Sequence, residues 1–188
     1  YSGLTGIYLA LQSLTDVDAQ AEDLIDRLRA SVLARRTVAQ QALSRGQELG
    51  EVLGTGAYSE LGGYLLALGQ IYRRSSPEDR RVLRDDLSVA LSASHALALQ
   101  SRSTDVVGGT AGLILVLLTL PDEALAGDGE RILRDLARSV VDRADVVGPG
   151  LAWRDPELDV HLLGFSHGAA GIAVALLAAG DRLDDPAI

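Results

Sequence analysis

Four stretches of this chain pass from a glycine-rich entry into a short run that is apolar at nearly every position. They are YSGLTGIYLALQSL at 1–14, GAYSELGGYLLALG at 56–69, DVVGGTAGLILVLL at 105–118 and GFSHGAAGIAVALL at 164–177. Aligned on Gly6, Gly63, Gly112 and Gly171, they form an internal repeat with copies roughly 50–60 residues apart. A period of that length suits a pair of helices with its connections. Between the copies the pattern changes. Leu24, Ile25, Leu28 and Val32 share one face of DLIDRLRASVLARR, and Ile132, Leu133, Leu136 and Val140 share one face of GERILRDLARSVVDRA. Leu83, Leu87 and Leu91 do the same in RRVLRDDLSVALSASHAL. Spacings of three and four residues mark amphipathic helices with one solvated side. Just upstream of the last of these, SSPEDR supplies a helix start, with Ser76 as N-cap and Pro77 in the first turn.

A helix that is apolar all round belongs inside, and a half-polar one belongs outside. The alternation therefore predicts an all-α fold in which inner and outer helices form an α/α toroid with the glycine-rich ends around one opening. No strand pattern competes. Four inner helices fall short of closing such a ring, so the 188 residues are expected to be a partial barrel of about four helix pairs with an exposed apolar edge. The glycines permit close backbone approach. Free N–H groups at the helix starts are expected to make the rim weakly electropositive.

Composition narrows the functional classes. Apolar residues make up 47% of the chain and charged ones 23%, as in ordinary soluble globular proteins. A net charge of −9 argues against nucleic acid and anionic membrane surfaces, which need a basic footprint. Arg73–Arg74 and Arg80–Arg81 lie among acids and supply none. The longest apolar run, LILVLLTL, is far short of the roughly 20 residues of a membrane span, and no signal-peptide pattern is present. A cytoplasmic location is expected. Cys, Met, Lys and Asn are all missing, and Arg supplies every basic side chain, the mark of a GC-rich bacterial coding sequence. The missing Met implies an excerpt of a longer chain. The missing Cys leaves no disulfide and no thiolate metal site within it.

His167 is the leading candidate for chemistry. It lies four residues before Gly171, in the register that Ser2, Ser59 and Gly108 occupy in the other copies. One repeat has thus exchanged a small residue for an imidazole, the side chain suited to proton exchange near neutral pH. The same position also suits a core histidine hydrogen-bonded to a neighbouring loop. Asp105 stands in the entry of its own repeat, where it can orient an imidazole or position a substrate. An Asp before glycines equally forms a helix cap or an Asx turn. His161 and Asp159 have no metal-ligand spacing with His167 and read as a solvated loop, and His95 reads as a packing or surface residue. Trp153 reads as a loop anchor or a cleft wall. The chain has no P-loop, no H-E-x-x-H and no dinucleotide-binding glycine motif.

Taken together, YSGLTGIYLAL, GAYSELGGYLLAL, DVVGGTAGLILVLL and GFSHGAAGIAVALL resemble successive motifs of the lanthionine synthetase C-like cyclases. The first two are most similar to the cyclase domain of bifunctional class II lanthipeptide synthetases. The resemblance covers nearly the whole chain in order and spacing. It implies that residues 1–188 are part of a single cyclase domain, truncated at both ends, with a seven-plus-seven α/α toroid. It further implies lantibiotic biosynthesis: Cys thiols add to dehydroalanine or dehydrobutyrine of a dehydrated precursor (leader–core) peptide, giving (methyl)lanthionine thioether rings. His167, in the G-x-x-H-G motif, would be the acid/base, and Asp105, in D-x-x-x-G-x-x-G, would line the same pocket. The family's zinc, which depresses the thiol pKa, is held by two cysteines and a histidine that follow the G-x-x-H-G motif. Those ligands are not in this segment, which alone is expected to be inactive. An N-terminal dehydratase domain is expected in the parent chain.

Two other readings compete. One is a non-catalytic helical-repeat module whose glycine-lined opening binds a peptide or a partner protein. The other is an α/α-barrel carbohydrate enzyme, which needs paired carboxylates such as Asp105 with Asp155 or Asp159. A single Trp leaves little aromatic platform for sugars.

Overall fold

Each glycine-led segment becomes a helix of one layer, and each amphipathic segment becomes a helix of the other. The computed structural model describes residues 3–12, 19–34, 56, 57, 59–125 and 127–188. Tyr1, Ser2, Ser13 and Leu14 of the first repeat, Tyr58 of the second, and Arg35 and Arg36 of the first amphipathic segment lie outside the described residues. The glycine-led helices are α1 (Gly3–Gln12), α3 (Glu60–Arg74), α5 (Thr110–Leu118) and α8 (Ala169–Leu183). The amphipathic ones are α2 (Ala19–Leu33), α4 (Pro77–Gln100) and α7 (Asp128–Val141), and a single turn, α6 (Asp122–Leu125), precedes α7.

The glycine-led helices stand in a row, α3 packing on α1 and α5, and α5 on α8. Behind them α2 lies against α1 and α3, α4 against α3 and α5, and α7 against α5 and α8. The core fills the space between the layers, with Leu65, Leu68, Leu113, Ile114, Leu133 and Leu136 fully buried. Side chains of this size gain about 1.5–3 kcal/mol each on leaving water, most of it offset by lost chain entropy. In α7 all four residues of the expected stripe are buried. In α2 the stripe is narrower than expected. Leu28 and Val32 are buried and Ile25 partly so, but Leu24, at the stripe's edge, is 38% exposed.

The start of α4 follows its sequence signal, with Pro77 in the first turn and the Ser76 hydroxyl accepting from the Asp79 N–H at 3.2 Å. At the ends of the row, Ile7 of α1 and Val174 and Leu177 of α8 face solvent. No helix among the described residues is long and apolar enough to cross a membrane.

One feature departs from an all-α fold. Between α7 and α8 the chain forms an antiparallel hairpin of β1 (Asp145–Val147) and β2 (Gly150–Ala152). Gly148, with φ at 58°, is the first residue of the two-residue turn, where such hairpins call for glycine. Three residues per strand are too few to show a period-two pattern, which is why the sequence conceals it.

Candidate functional site

The entry loops of the third and fourth repeats fold the same way, down to individual hydrogen bonds. Thr110 and Ala111 at the start of α5 donate their N–H groups to the carbonyls of Ser103 and Thr104. In the same register, Ala169 and Ala170 of α8 donate to Leu162 and Leu163. This fold-back brings the loop over the repeat's anchoring glycine. A Cβ on Gly112 would lie 1.9 Å from the Val106 carbonyl oxygen, and one on Gly171 would lie 1.9 Å from that of Phe165. Neither position admits a side chain. The loops also join laterally: the N–H groups of Val106 and Val107 donate to Ser166, and the Ala57 N–H donates to Val106.

Lateral joining places Asp105 beside His167. The imidazole Nδ1 is 2.6 Å from Oδ2 of Asp105. The other carboxylate oxygen, Oδ1, accepts from the N–H groups of Gly108 and Gly109, each at 2.8 Å. Asp105 is not the helix cap, since the N-cap of α5 is Gly109; its side chain holds the turn before the helix with one oxygen and meets the imidazole with the other. With Oδ1 fixed by two amides, Oδ2 has a fixed direction. The Asp105 side chain is 13% exposed and that of His167 is 52% exposed. The carboxylate is enclosed while the imidazole remains reachable. An ionised carboxylate accepts only, so Nδ1 carries the proton and Nε2 is the atom left for exchange.

The same geometry corrects the expected electropositive rim. The amides from Gly108 to Gly112, which lead into α5, donate to Asp105 Oδ1 and to the carbonyls of Ser103, Thr104 and Asp105, and those of Ala169 and Ala170 are likewise used. In these two copies, loop carbonyls and one carboxylate consume donors that were expected to face the opening.

Next to the pair lies a gap of about 10 Å³ lined by Asp105, His167, Trp153 and Pro156 among others. It shares Thr104, Trp153, Arg154, Asp155 and Pro156 with a pocket of about 390 Å³ that extends to Arg102 and Arg143. Trp153 is the loop anchor: it is buried, and its indole N–H donates to the Val140 carbonyl at 2.7 Å. Its position between α7 and the gap also makes it a wall of the cleft.

A second His–Asp contact sits on the hairpin side. His161 Nε2 lies 2.7 Å from Oδ2 of Asp145, and Arg154 approaches the same oxygen at 3.6 Å. The hydrogen bond from His161, with the Arg154 charge, holds the Asp145 carboxyl below its usual range. His161 is thus tied to the hairpin, not free in a solvated loop. Asp159 takes a left-handed conformation (φ 55°) and pairs with Arg154 at 3.3 Å. Neither residue joins His167. His95 is partly buried between α4 and α7, where its Nε2 lies 3.5 Å from Asp135. The sequence missed the pocket's arginines and the His161–Asp145 contact, since no spacing rule links a hairpin strand to a loop sixteen residues on.

The zinc that the resemblance implies does not fit these residues. The chain has no cysteine, and no group of three His, Asp or Glu side chains among the described residues is arranged to hold a metal ion.

A two-layer helical repeat with a carboxylate-held histidine at one rim is the class that fold and site define. Residues 1–188 match the family described as lanthionine synthetase C-like protein, and the chain belongs to that family. No curated protein and no solved structure matched. The family implies an α/α toroid, in keeping with the two helical layers described above.

Proposed function

We propose that this chain is part of a lanthipeptide cyclase domain and that His167 is its proton-transfer residue, held by Asp105. The observation that carries the reading is the 2.6 Å contact between Nδ1 and Oδ2, with the carboxylate's other oxygen locked by two amides. The substrate is a dehydrated precursor peptide carrying cysteine and dehydroalanine or dehydrobutyrine. Ring formation is an addition without a leaving group. The S–H bond breaks, a C–S bond forms at the β-carbon, and the alkene's π pair becomes a C–H bond at the α-carbon. One proton leaves sulfur and one arrives at carbon. His167 Nε2 is placed to accept the first or supply the second, and general acid–base help of this kind is worth about 10²–10⁴ in rate. Asp105 stabilises the imidazolium while it exists. The amides of the α5 entry are already bonded, so stabilisation of the enolate is assigned elsewhere in the domain. The thiol-activating metal has no ligands here, and the role of this segment is proton transfer and peptide placement. The wording of the first two repeats supports a bifunctional class II parent with a dehydratase domain, and residues 1–188 then form one stretch of a single, larger cyclase domain.

The test uses the full parent chain and a dehydrated, cysteine-containing peptide, with loss of free thiol followed against a no-enzyme control. Enzyme-dependent loss that slows in a folded His167→Ala variant supports the reading. A variant that keeps pace removes His167 from the mechanism. No loss with wild type turns the reading toward the non-catalytic peptide-binding module.

A further inference from the structure

We infer that the pocket of about 390 Å³ beside the His167–Asp105 pair is a subsite for an acidic residue of the peptide, with Arg102 as its counter-charge. The inference rests on the peptide-cyclase reading above and names a specificity residue for it. Six charged residues line the pocket.

Five of the six are already engaged. Arg143 donates to the carbonyls of Ser101 at 2.6 Å and Leu99 at 3.1 Å, closing the C-terminal end of α4. Arg154 is held by Asp159 at 3.3 Å and lies 3.6 Å from Asp145. Asp145 also accepts from His161, and Asp155 Oδ1 accepts the N–H groups of Glu157 at 3.0 Å and Leu158 at 2.8 Å. The carboxylates therefore have their partners. The remaining group, Arg102, is exposed and has no ion pair or hydrogen bond among the described residues. It directly follows the C-cap Ser101, where a basic side chain would ordinarily serve the helix end, but Arg143, from the turn after α7, already does so. Arg102 is left free to serve the pocket.

The rest of the lining fits a side chain entering from an extended peptide. Trp153 and Pro156 form a rigid apolar wall, and the Trp153 indole N–H is already spent on Val140. A planar guanidinium offers paired N–H donors that match a carboxylate. The lining residues shared with the His167 gap place this residue next to the reacting one. With a chain charge of −9, the general field does not draw an acidic peptide in, so recognition is local.

The test is binding, independent of ring formation. Fluorescein-labelled nonapeptides with a central cysteine and no dehydro residue carry Glu or Gln beside the cysteine, on either side. Their affinity for the full parent chain is read by anisotropy. On one side Glu binds wild type about three- to tenfold tighter than Gln. Arg102→Ala abolishes the preference and Arg102→Lys keeps part of it. Equal affinity for Glu and Gln, absence of binding by both, or a preference that survives Arg102→Ala overturns the subsite. So does displacement of the Glu peptide by N-acetylglutamate amide at the peptide's own concentration, since a free carboxylate would then suffice. Thiol consumption without a Glu preference removes the subsite alone. A Glu preference without thiol consumption upholds the subsite and counts against the cyclase reading.

Discussion

Asp105 and His167, 62 positions apart in sequence, meet at 2.6 Å because two copies of one repeat place their entry loops side by side. Neither copy needs both residues. The third repeat supplies a carboxylate whose other oxygen ties down its own entry loop at Gly108 and Gly109, and the fourth supplies the imidazole. Lateral hydrogen bonds from Val106 and Val107 to Ser166 set the spacing between them.

That division of labour separates two substitutions. Asp105→Asn keeps an oxygen for the Gly108 and Gly109 amides but presents an N–H to His167, which moves the ring proton from Nδ1 to Nε2. Its thermal stability should stay close to wild type while ring formation falls about 10²–10⁴-fold. Asp105→Ala also loses the two loop hydrogen bonds from Gly108 and Gly109 and should cost about 1–2 kcal/mol in urea unfolding. An Asn variant with full activity would remove the carboxylate from the mechanism.

The anchoring glycines give a prediction about folding. Gly→Ala inside a helix ordinarily stabilises by about 0.5–1 kcal/mol. At Gly112 and Gly171 the new Cβ would meet a backbone oxygen at 1.9 Å, and backbone cannot yield as a side-chain end can. Each substitution should destabilise by about 2–4 kcal/mol in urea unfolding. Gly164→Ala, with open space around it, should change stability by less than about 0.5 kcal/mol. Equal effects at all three sites would refute the close packing of loop on helix.

These glycines were the most legible feature of the sequence. Their register marked the four inner helices, and the stripes at Ile132–Val140 and Leu83–Leu91 marked outer ones, because helical burial leaves a period in the chain. His167 and Asp105 stood out as departures from an otherwise repeated pattern. Their contact did not, since it depends on lateral packing of loops. The hairpin, the pocket and Arg102 were hidden for related reasons. Three-residue strands carry no period, and a free cation is recognised only after the partners of its neighbours are known. The rim amides of the third and fourth copies are spent on loops that fold back over them, a feature composition does not foreshadow.

Trp153 is the single tryptophan, so its fluorescence reports on the wall shared by the pocket and the His167 gap. Trp153→Phe keeps an aromatic ring and loses the N–H donor to Val140. The change should cost about 1–2 kcal/mol in urea unfolding, as for a buried hydrogen bond whose acceptor keeps other partners. A cost near zero would show that the indole's packing alone anchors the loop.

His95 gives the chain a pH dependence remote from the site. Its imidazole is wedged between α4 and α7, and burial holds its pKa below the usual histidine value of 6.5. Asp135 opposes that shift from 3.5 Å but does not prevail, because the same Oδ2 is already paired with Arg131 at 3.1 Å. Arg131 itself disfavours a second positive charge, and Asp128 acts weakly the other way. A histidine whose folded pKa is depressed binds fewer protons folded than unfolded. Its contribution is therefore complete above about pH 6.5 and is lost as pH falls from there toward the folded value. Urea midpoints should decline across that window in wild type, and His95→Gln should flatten the decline without altering the His167–Asp105 pair, which His95 does not contact. A decline of the same steepness in the variant would assign the pH dependence to other groups.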